Sequence, residues 1–197
     1  MQWRSRNDPR LQLADEFSRP DFDLDDWGID QISFELIQTR LGCCEVDLFA
    51  TDANARLPKF FSSLPSLTAQ GVNAFSADWS AFQLSFACPP PKLVKAVIRQ
   101  AVMQEATVVL VIPRWRSLSA WSMIAEDGFH FNELVAGYIE FWPTLHKGDH
   151  VTSTVFSGKT PFPFLALLLH SKNLEFPYRS RVTPRFCVFK GCWKCQG

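Results

Sequence analysis

The chain has 197 residues, of which 47% are apolar and 20% are charged. That composition is typical of one globular domain with room for tails, and it excludes a wholly disordered or fibrous chain. Twenty basic residues balance twenty acidic ones, which excludes a polycation that holds nucleic acid by net charge alone. No apolar run approaches the roughly 20 residues that cross a bilayer, so no membrane partner is expected.

The charge is distributed unevenly along the chain. Residues 1–30 carry four arginines and eight acids, whereas residues 171–197 carry six basic residues and one acid. The sequence therefore predicts an acidic arm over residues 1–25, a central domain over 26–171 and a basic, cysteine-containing tail over 172–197. The basic tail indicates either a phosphate contact or simply a solvated terminus.

The six cysteines do not have the spacing of a disulfide framework. A reducing, intracellular compartment, nuclear or cytoplasmic, is therefore expected. The candidates for a zinc site are three cysteines of the tail, but a closed structural site needs four ligands. His170 is the nearest histidine upstream, and it ends a predicted core strand. This pattern favours free thiols over zinc for the three: Cys187, Cys192 and Cys195.

The first predicted element is a helix that begins after Asp30, a suitable N-cap, and ends at Gly42. A short apolar strand, EVDLFA, follows over residues 45–50. Residues 58–78 have mixed polarity and are predicted to form an irregular connection. A second strand, FQLSFA, covers residues 82–87, and the three prolines after Cys88 end it because proline donates no ladder hydrogen bond.

The second half continues with an amphipathic helix over residues 93–104 and a buried strand, TVVLVIP, over 107–113. A further helix is predicted over 117–126, and two late strands over 137–142 and 162–170. Alternating helices and continuous apolar strands are typical of a sheet covered on both faces. The predicted fold class is α/β, a Rossmann-like sheet that is mostly parallel with an antiparallel edge and has helices on both faces.

Ligands of such sheets bind outside the carboxyl ends of the strands. Asp47 lies in the first strand, and the small residues Ala50 and Thr51 that follow would let a ligand approach the backbone. Asn54 and Asp78 would add polar contacts to a ribose or an amino-acid group. The alternative is that these acidic and amide side chains cap turns, which is their commonest use after a strand.

Five motifs follow one another along the chain: VDLFATDANARLPKFF (46–61), AFSADWSAF (74–82), SFACPPPKLVKAV (85–97), ATVVLVIPRW (106–115) and FSGKTPFPFLALLLH (156–170). Their order and spacing resemble the phage Dam-type family of DNA adenine N6-methyltransferases, and the resemblance covers about residues 26–171. It implies a domain that binds S-adenosylmethionine through residues matching the family's cofactor side: Asp47, Phe49, Ala50, Asn54 and Asp78.

This chain is more similar still to a degenerate version of that domain. The degenerate version follows ribonuclease H in polyproteins of DIRS-class, tyrosine-recombinase retroelements. SRNDPRLQLADEFSR, residues 5–19, resembles the closing segment of a retroelement ribonuclease H. Asp15 would then be that enzyme's last metal-binding carboxylate, but one carboxylate cannot build a two-metal site. The resemblance implies DNA, RNA or other retroelement proteins as partners.

The chain departs from the family at the motif that holds the target amine, where Cys88, Pro89, Pro90 and Pro91 replace an X-Pro-Pro-aromatic sequence. In the family, the side-chain oxygen at X and the first proline carbonyl accept the two amine hydrogens, while the aromatic ring stacks on the flipped base. A thiol is a weak acceptor, and proline offers no such ring. The sequence therefore favours a catalytically inactive methyltransferase domain that acts as a nucleic-acid or protein interaction module.

Two alternatives stay open from the sequence. One is an active adenine methyltransferase, in which a neighbouring group such as Asp78 replaces the missing oxygen. The other is a zinc-stapled nucleic-acid-binding protein that uses the basic tail. Metal in the purified protein and a steep decrease of DNA affinity with salt would distinguish the second.

Overall fold

A computed structural model describes residues 27–125, 130–147 and 158–170. The strands of its larger sheet are β2 (Val46–Ala50), β3 (Phe60–Ser62), β4 (Gly71–Val72), β5 (Ser85–Ala87), β6 (Val108–Pro113), β7 (Val135–Phe141) and β10 (Phe164–Leu169). They lie in the order β4-β3-β2-β5-β6-β10-β7, so β6, the apolar strand near the middle of the chain, lies inside the sheet.

Five neighbouring strands, β4, β3, β2, β5 and β6, are parallel to one another, whereas β10 is antiparallel to both of its neighbours, β6 and β7. The antiparallel register places Leu167 opposite Leu110 of β6 and Tyr138 of β7. The prediction of an α/β chain with a mostly parallel sheet and an antiparallel edge is confirmed.

Two helices accompany the sheet, α1 (Gln31–Leu41) and α2 (Val94–Met103). Alternate residues of β6 belong to different apolar clusters, Leu110 to one and Val109 to the other. Because successive strand side chains point to opposite faces, the two clusters lie on opposite sides of β6. The buried apolar side chains of α2 belong to the Leu110 cluster, called the α2-side cluster below, and those of α1 belong to the Val109 cluster, called the α1-side cluster.

The ends of α1 agree with the sequence. The Asp30 carboxylate accepts a hydrogen bond from the Ser33 N–H at 2.9 Å, which is an N-cap contact. Gly42 ends the helix at a φ of 114° and a ψ of 161°, a conformation that is essentially restricted to glycine.

Two segment predictions are wrong. Residues 117–126 were expected to form a helix, but the described part contains only a 3₁₀ turn at Trp121–Met123. Its serines compete for backbone hydrogen bonds and weaken a short helix. Residues 58–78 were expected to be irregular, yet they supply β3 and β4, which are too short for a periodic pattern to show.

The sequence also gave no sign of a second, three-stranded antiparallel sheet. It consists of β1 (Trp27–Ile29), β8 (Thr144–Lys147) and β9 (Gly158–Lys159) in the order β1-β8-β9. Its β8 and β9 come from the polar link between the two late strands. Trp27 and Ile29 are nearly inaccessible to solvent, so this sheet closes one side of the core.

The predicted acidic arm and basic tail lie outside the described residues, as do Asp15 and the three cysteines of the tail. Within the described ranges, no helix is long and apolar enough to cross a membrane.

Candidate functional site

A cleft of about 280 Å³ lies at the carboxyl ends of the parallel strands. Strand β2 is central to it, because β3 pairs with one side of β2 and β5 pairs with the other. Such a topological switch point is where open α/β sheets bind ligands. The volume is near the lower end of the range for small-molecule sites.

The apolar wall of the cleft is aromatic. Phe49 from the end of β2 and Phe75 from the link before β5 both line it, with ring centroids 5.4 Å apart. Trp79 packs behind them, 6.3 Å from the first ring and 5.9 Å from the second. Trp79 is fully buried, and its indole N–H donates to the Ala74 carbonyl at 2.8 Å. The wall is therefore anchored in the core.

The residues after α2 hold this wall in place from behind. The Gln104 side chain accepts a hydrogen bond from the Trp79 backbone N–H at 2.8 Å and donates to the Ala77 carbonyl at 3.2 Å. Within α2, the Gln100 amide donates to the Phe75 carbonyl at 3.2 Å. Two glutamines thus fix the backbone of residues 75–79 to one helix.

The polar part of the cleft consists of hydroxyl and amide side chains, Thr51, Ser62, Ser63 and Asn73. Asn73 has a φ of 61°, and its side-chain oxygen accepts from the Phe75 N–H at 3.2 Å. Residues held in such sparsely populated conformations cluster at functional sites. None of the described residues that line the cleft carries a charge.

Asp47, the first predicted cofactor residue, is 2% exposed. One of its carboxylate oxygens accepts from the Phe49 N–H at 3.3 Å and the other from the Arg56 N–H at 3.2 Å. Its strand neighbours Val46 and Leu48 both belong to the α2-side cluster, so the Asp47 side chain points to the opposite face. These contacts are those of a turn anchor.

Asn54 and Asp78 make similar local contacts. The Asn54 side-chain oxygen accepts from the Thr51 N–H at 2.7 Å, and Asp78 accepts from the Ser80 N–H at 3.0 Å. Neither residue lines the cleft, whereas Phe49 and Ala50 of the same predicted set do. These hydrogen bonds of Asp47, Asn54 and Asp78 match turn capping, the alternative that the sequence left open. Cofactor binding by the five predicted residues stays a prediction.

The Cys-Pro-Pro-Pro motif directly follows β5, at the expected end of the sheet. Cys88 is 5% exposed and belongs to the α1-side cluster together with Phe86. Pro89 is also buried. Pro90 lines the cleft, and its carbonyl accepts from the Leu93 N–H at 2.9 Å. Pro91 begins a 3₁₀ turn that leads into α2, so the motif joins the core to one wall of the cleft.

A surface contact ties together two loops next to the cleft. Asp52 accepts hydrogen bonds from the Ser66 hydroxyl at 2.8 Å and from the Thr68 hydroxyl. The hydrogen bond from Thr68 and, to a smaller extent, the one from Ser66 lower the pKa of the Asp52 carboxyl below its usual range. The contact connects the loop after β2 to the loop after β3, and both strands end at the cleft.

Ser62, Ser63 and Asn73 line the cleft but were not predicted from the sequence. Their positions depend on the pairing of β3 with β2 and β4, and a strand of three residues is too short to show a hydrophobic pattern. Phe75 lies inside a motif of the family resemblance, which is the one signal that pointed to this segment.

Among the described residues, no group of three or more His, Cys, Asp or Glu side chains is placed to hold a metal ion. The zinc candidates of the tail lie outside these residues, so their role stays a prediction.

Comparison with known proteins identifies no family: no protein-family model matches the sequence, and no curated protein matches it significantly.

Proposed function

We propose that the chain is a methyltransferase-like domain of retroelement origin that does not transfer methyl groups and serves as an interaction module. In this proposal the sheet has the Rossmann-like arrangement, with α1 and α2 on opposite faces. The observation that carries the proposal is the burial of Cys88, which stands where the Dam-type family has an asparagine or aspartate.

During methyl transfer, positive charge develops on the nitrogen of the amine that receives the methyl group. An oxygen acceptor held against the amine hydrogens stabilises that charge. At position 88 the group is a thiol, a weak acceptor, packed with Phe86 in the core. Loss of one preorganised contact of this kind lowers a rate by about 10²–10³-fold.

The sequence suggests Asp78 as a substitute for the missing oxygen. Its carboxylate oxygen already accepts hydrogen bonds from the Ser80 N–H and from the Ser80 hydroxyl, the latter at 2.6 Å. A carboxylate used as a turn cap at the surface gives no reason to assign it to an amine. Pro91 also supplies no aromatic ring, and a stacked base is stabilised by about 1–3 kcal/mol on an aromatic side chain. Both changes fall on the two positions that would contact the base.

The test is a methyl-transfer assay with the full chain, S-adenosylmethionine labelled in its methyl group, and adenine-containing DNA in duplex and single-stranded form. We expect no transfer above the protein-free background. The double variant Cys88→Asn, Pro91→Tyr restores the family's residues and serves as a matched control for the motif. Turnover by the unmodified chain that is lost when Ser63→Trp fills the cleft would contradict the proposal.

A further inference from the structure

The cleft combines an aromatic wall with an uncharged polar rim. We propose that it binds a neutral nucleoside-like molecule, a flat heterocycle with a hydroxyl-bearing arm, and that it selects against S-adenosylmethionine. This inference deepens the proposed function, because it names the ligand class of the same cleft. It rests on the proposed function, which makes S-adenosylmethionine the cofactor for the comparison.

The residues present do not fit the charged half of S-adenosylmethionine. That molecule carries a sulfonium, an ammonium and a carboxylate, and each charge needs a partner when water is removed. None of the described lining residues is charged. Of the acids predicted for this role, Asp47 is engaged by the N–H groups of Phe49 and Arg56, and Asp78 by Ser80.

The same lining fits a flat, uncharged ring. Phe49, Phe75, Pro90 and Leu93 supply apolar surface around the cleft, and aromatic side chains stabilise heterocycles by stacking or edge contacts. Ala50 at the end of β2 has a side chain small enough for a ligand to lie close to the backbone. A ring placed here loses no charge solvation and displaces water from an apolar wall.

The rim fits neutral hydroxyls. Ser63 is exposed at the cleft, and its hydroxyl is able both to donate and to accept. The Asn73 oxygen accepts from the Phe75 N–H, so the amide nitrogen is the donor that this side chain offers to a ligand. Uncharged donors and acceptors compensate the burial of hydroxyls without requiring an ion.

The test is calorimetry on the full chain with adenosine and with S-adenosylmethionine as separate probes. We expect saturable adenosine binding and an affinity for S-adenosylmethionine that is lower by about tenfold or more, since each unpaired buried charge is strongly disfavoured. Ser63→Trp, which fills the cleft, should abolish adenosine binding. Ser117→Trp, at an exposed position away from the cleft lining, should leave it unchanged.

A variant that gains affinity tests the role of charge more directly, because misfolding lowers binding and does not raise it. Ser63→Asp supplies the missing anionic partner, so it should raise the affinity for S-adenosylmethionine relative to that for adenosine by about fivefold or more. The inference is overturned if adenosine does not bind, or if the unmodified chain binds S-adenosylmethionine as tightly as adenosine. Neither result bears on methyl transfer, which the labelled-methyl assay measures separately.

Discussion

Gln104 and Trp79 are joined by a hydrogen bond of 2.8 Å between the glutamine side-chain oxygen and the tryptophan backbone N–H. They are 25 residues apart, and the bond connects the end of α2 to the segment that forms the aromatic wall. Because the same glutamine also donates to the Ala77 carbonyl, one side chain fixes the backbone of that segment at both residue 77 and residue 79. The shape of the cleft thus depends on a residue that does not line it.

Replacement of Gln104 by leucine should therefore destabilise the protein and loosen the wall. A buried N–H left without its acceptor costs about 1–3 kcal/mol. Urea unfolding should show this loss, and hydrogen exchange should increase for residues 74–82. Gln83→Leu, at an exposed position, is the matched control and should change stability by about 0.5 kcal/mol or less. Equal stability of the two variants would show that the contact does not hold the wall.

The elements that could be predicted from sequence are those with a local signal. The buried strand over 107–113 is continuous and β-branched because β6 is covered on both sides, and α1 has a capping residue before it and a glycine after it. The parallel pairing of β5 and β6 follows from the helix between them. These signals sufficed for the inner strands and the antiparallel edge of the sheet, but not for β3 and β4.

The parts that could not be predicted depend on pairing across the fold. β3 and β4 are three and two residues long, and β1 finds its partner β8 more than 100 residues later. Asp47 shows the same limit at the site, because an acid beside a strand end has the same sequence signal whether it faces a ligand or a backbone turn. The register of Val46 and Leu48 decides the side.

Asp30 should make the stability of the protein depend on acid pH. Burial opposes its ionisation, but hydrogen bonds from the Ser33 N–H and hydroxyl and from the Thr144 N–H outweigh burial and lower the pKa of Asp30. A lowered pKa stabilises the folded state above the unfolded-state value of about 3.9, and this stabilisation is lost as the pH falls through the folded-state pKa.

Asp30→Ala should therefore lower the free energy of unfolding at pH 7 by about 1–2 kcal/mol. The difference from the unmodified protein should shrink as the pH falls below about 4. Ser33→Ala removes only the hydroxyl donor, so it should have a smaller effect at pH 7. Denaturant unfolding at several pH values checks both variants, and a difference that does not vary with pH would contradict this role of Asp30.

The described cysteines should differ in their reaction with iodoacetamide. Burial raises the pKa of the Cys44 thiol to about 12, whereas the neighbouring Cys43 is exposed. Because the thiolate is the reactive species, native protein at pH 8 should be alkylated at Cys43 and protected at Cys44. Cys88, at 5% exposure, should be protected as well. Fragment mass spectrometry assigns each site, and urea-unfolded protein labelled at all three is the control.

Alkylation of Cys88 as fast as that of Cys43 would place its sulfur within reach of solvent. That result would remove the observation on which the proposed loss of methyl transfer depends.

Gly42 should be intolerant of a side chain for a backbone reason. Its φ of 114° and ψ of 161° lie in a region that is essentially restricted to glycine, and a Cβ would come within 3.1 Å of the flexible end of Leu84. Gly42→Ala should therefore lower stability by about 1–3 kcal/mol.

Gly137 in β7 has no positive φ, and a Cβ there would meet Leu41 at an ordinary 3.9 Å. Gly137→Ala should be neutral or slightly stabilising, because alanine restricts the unfolded chain. Equal losses in the two variants, measured by urea unfolding, would show that the backbone conformation of Gly42 is not what makes the substitution costly.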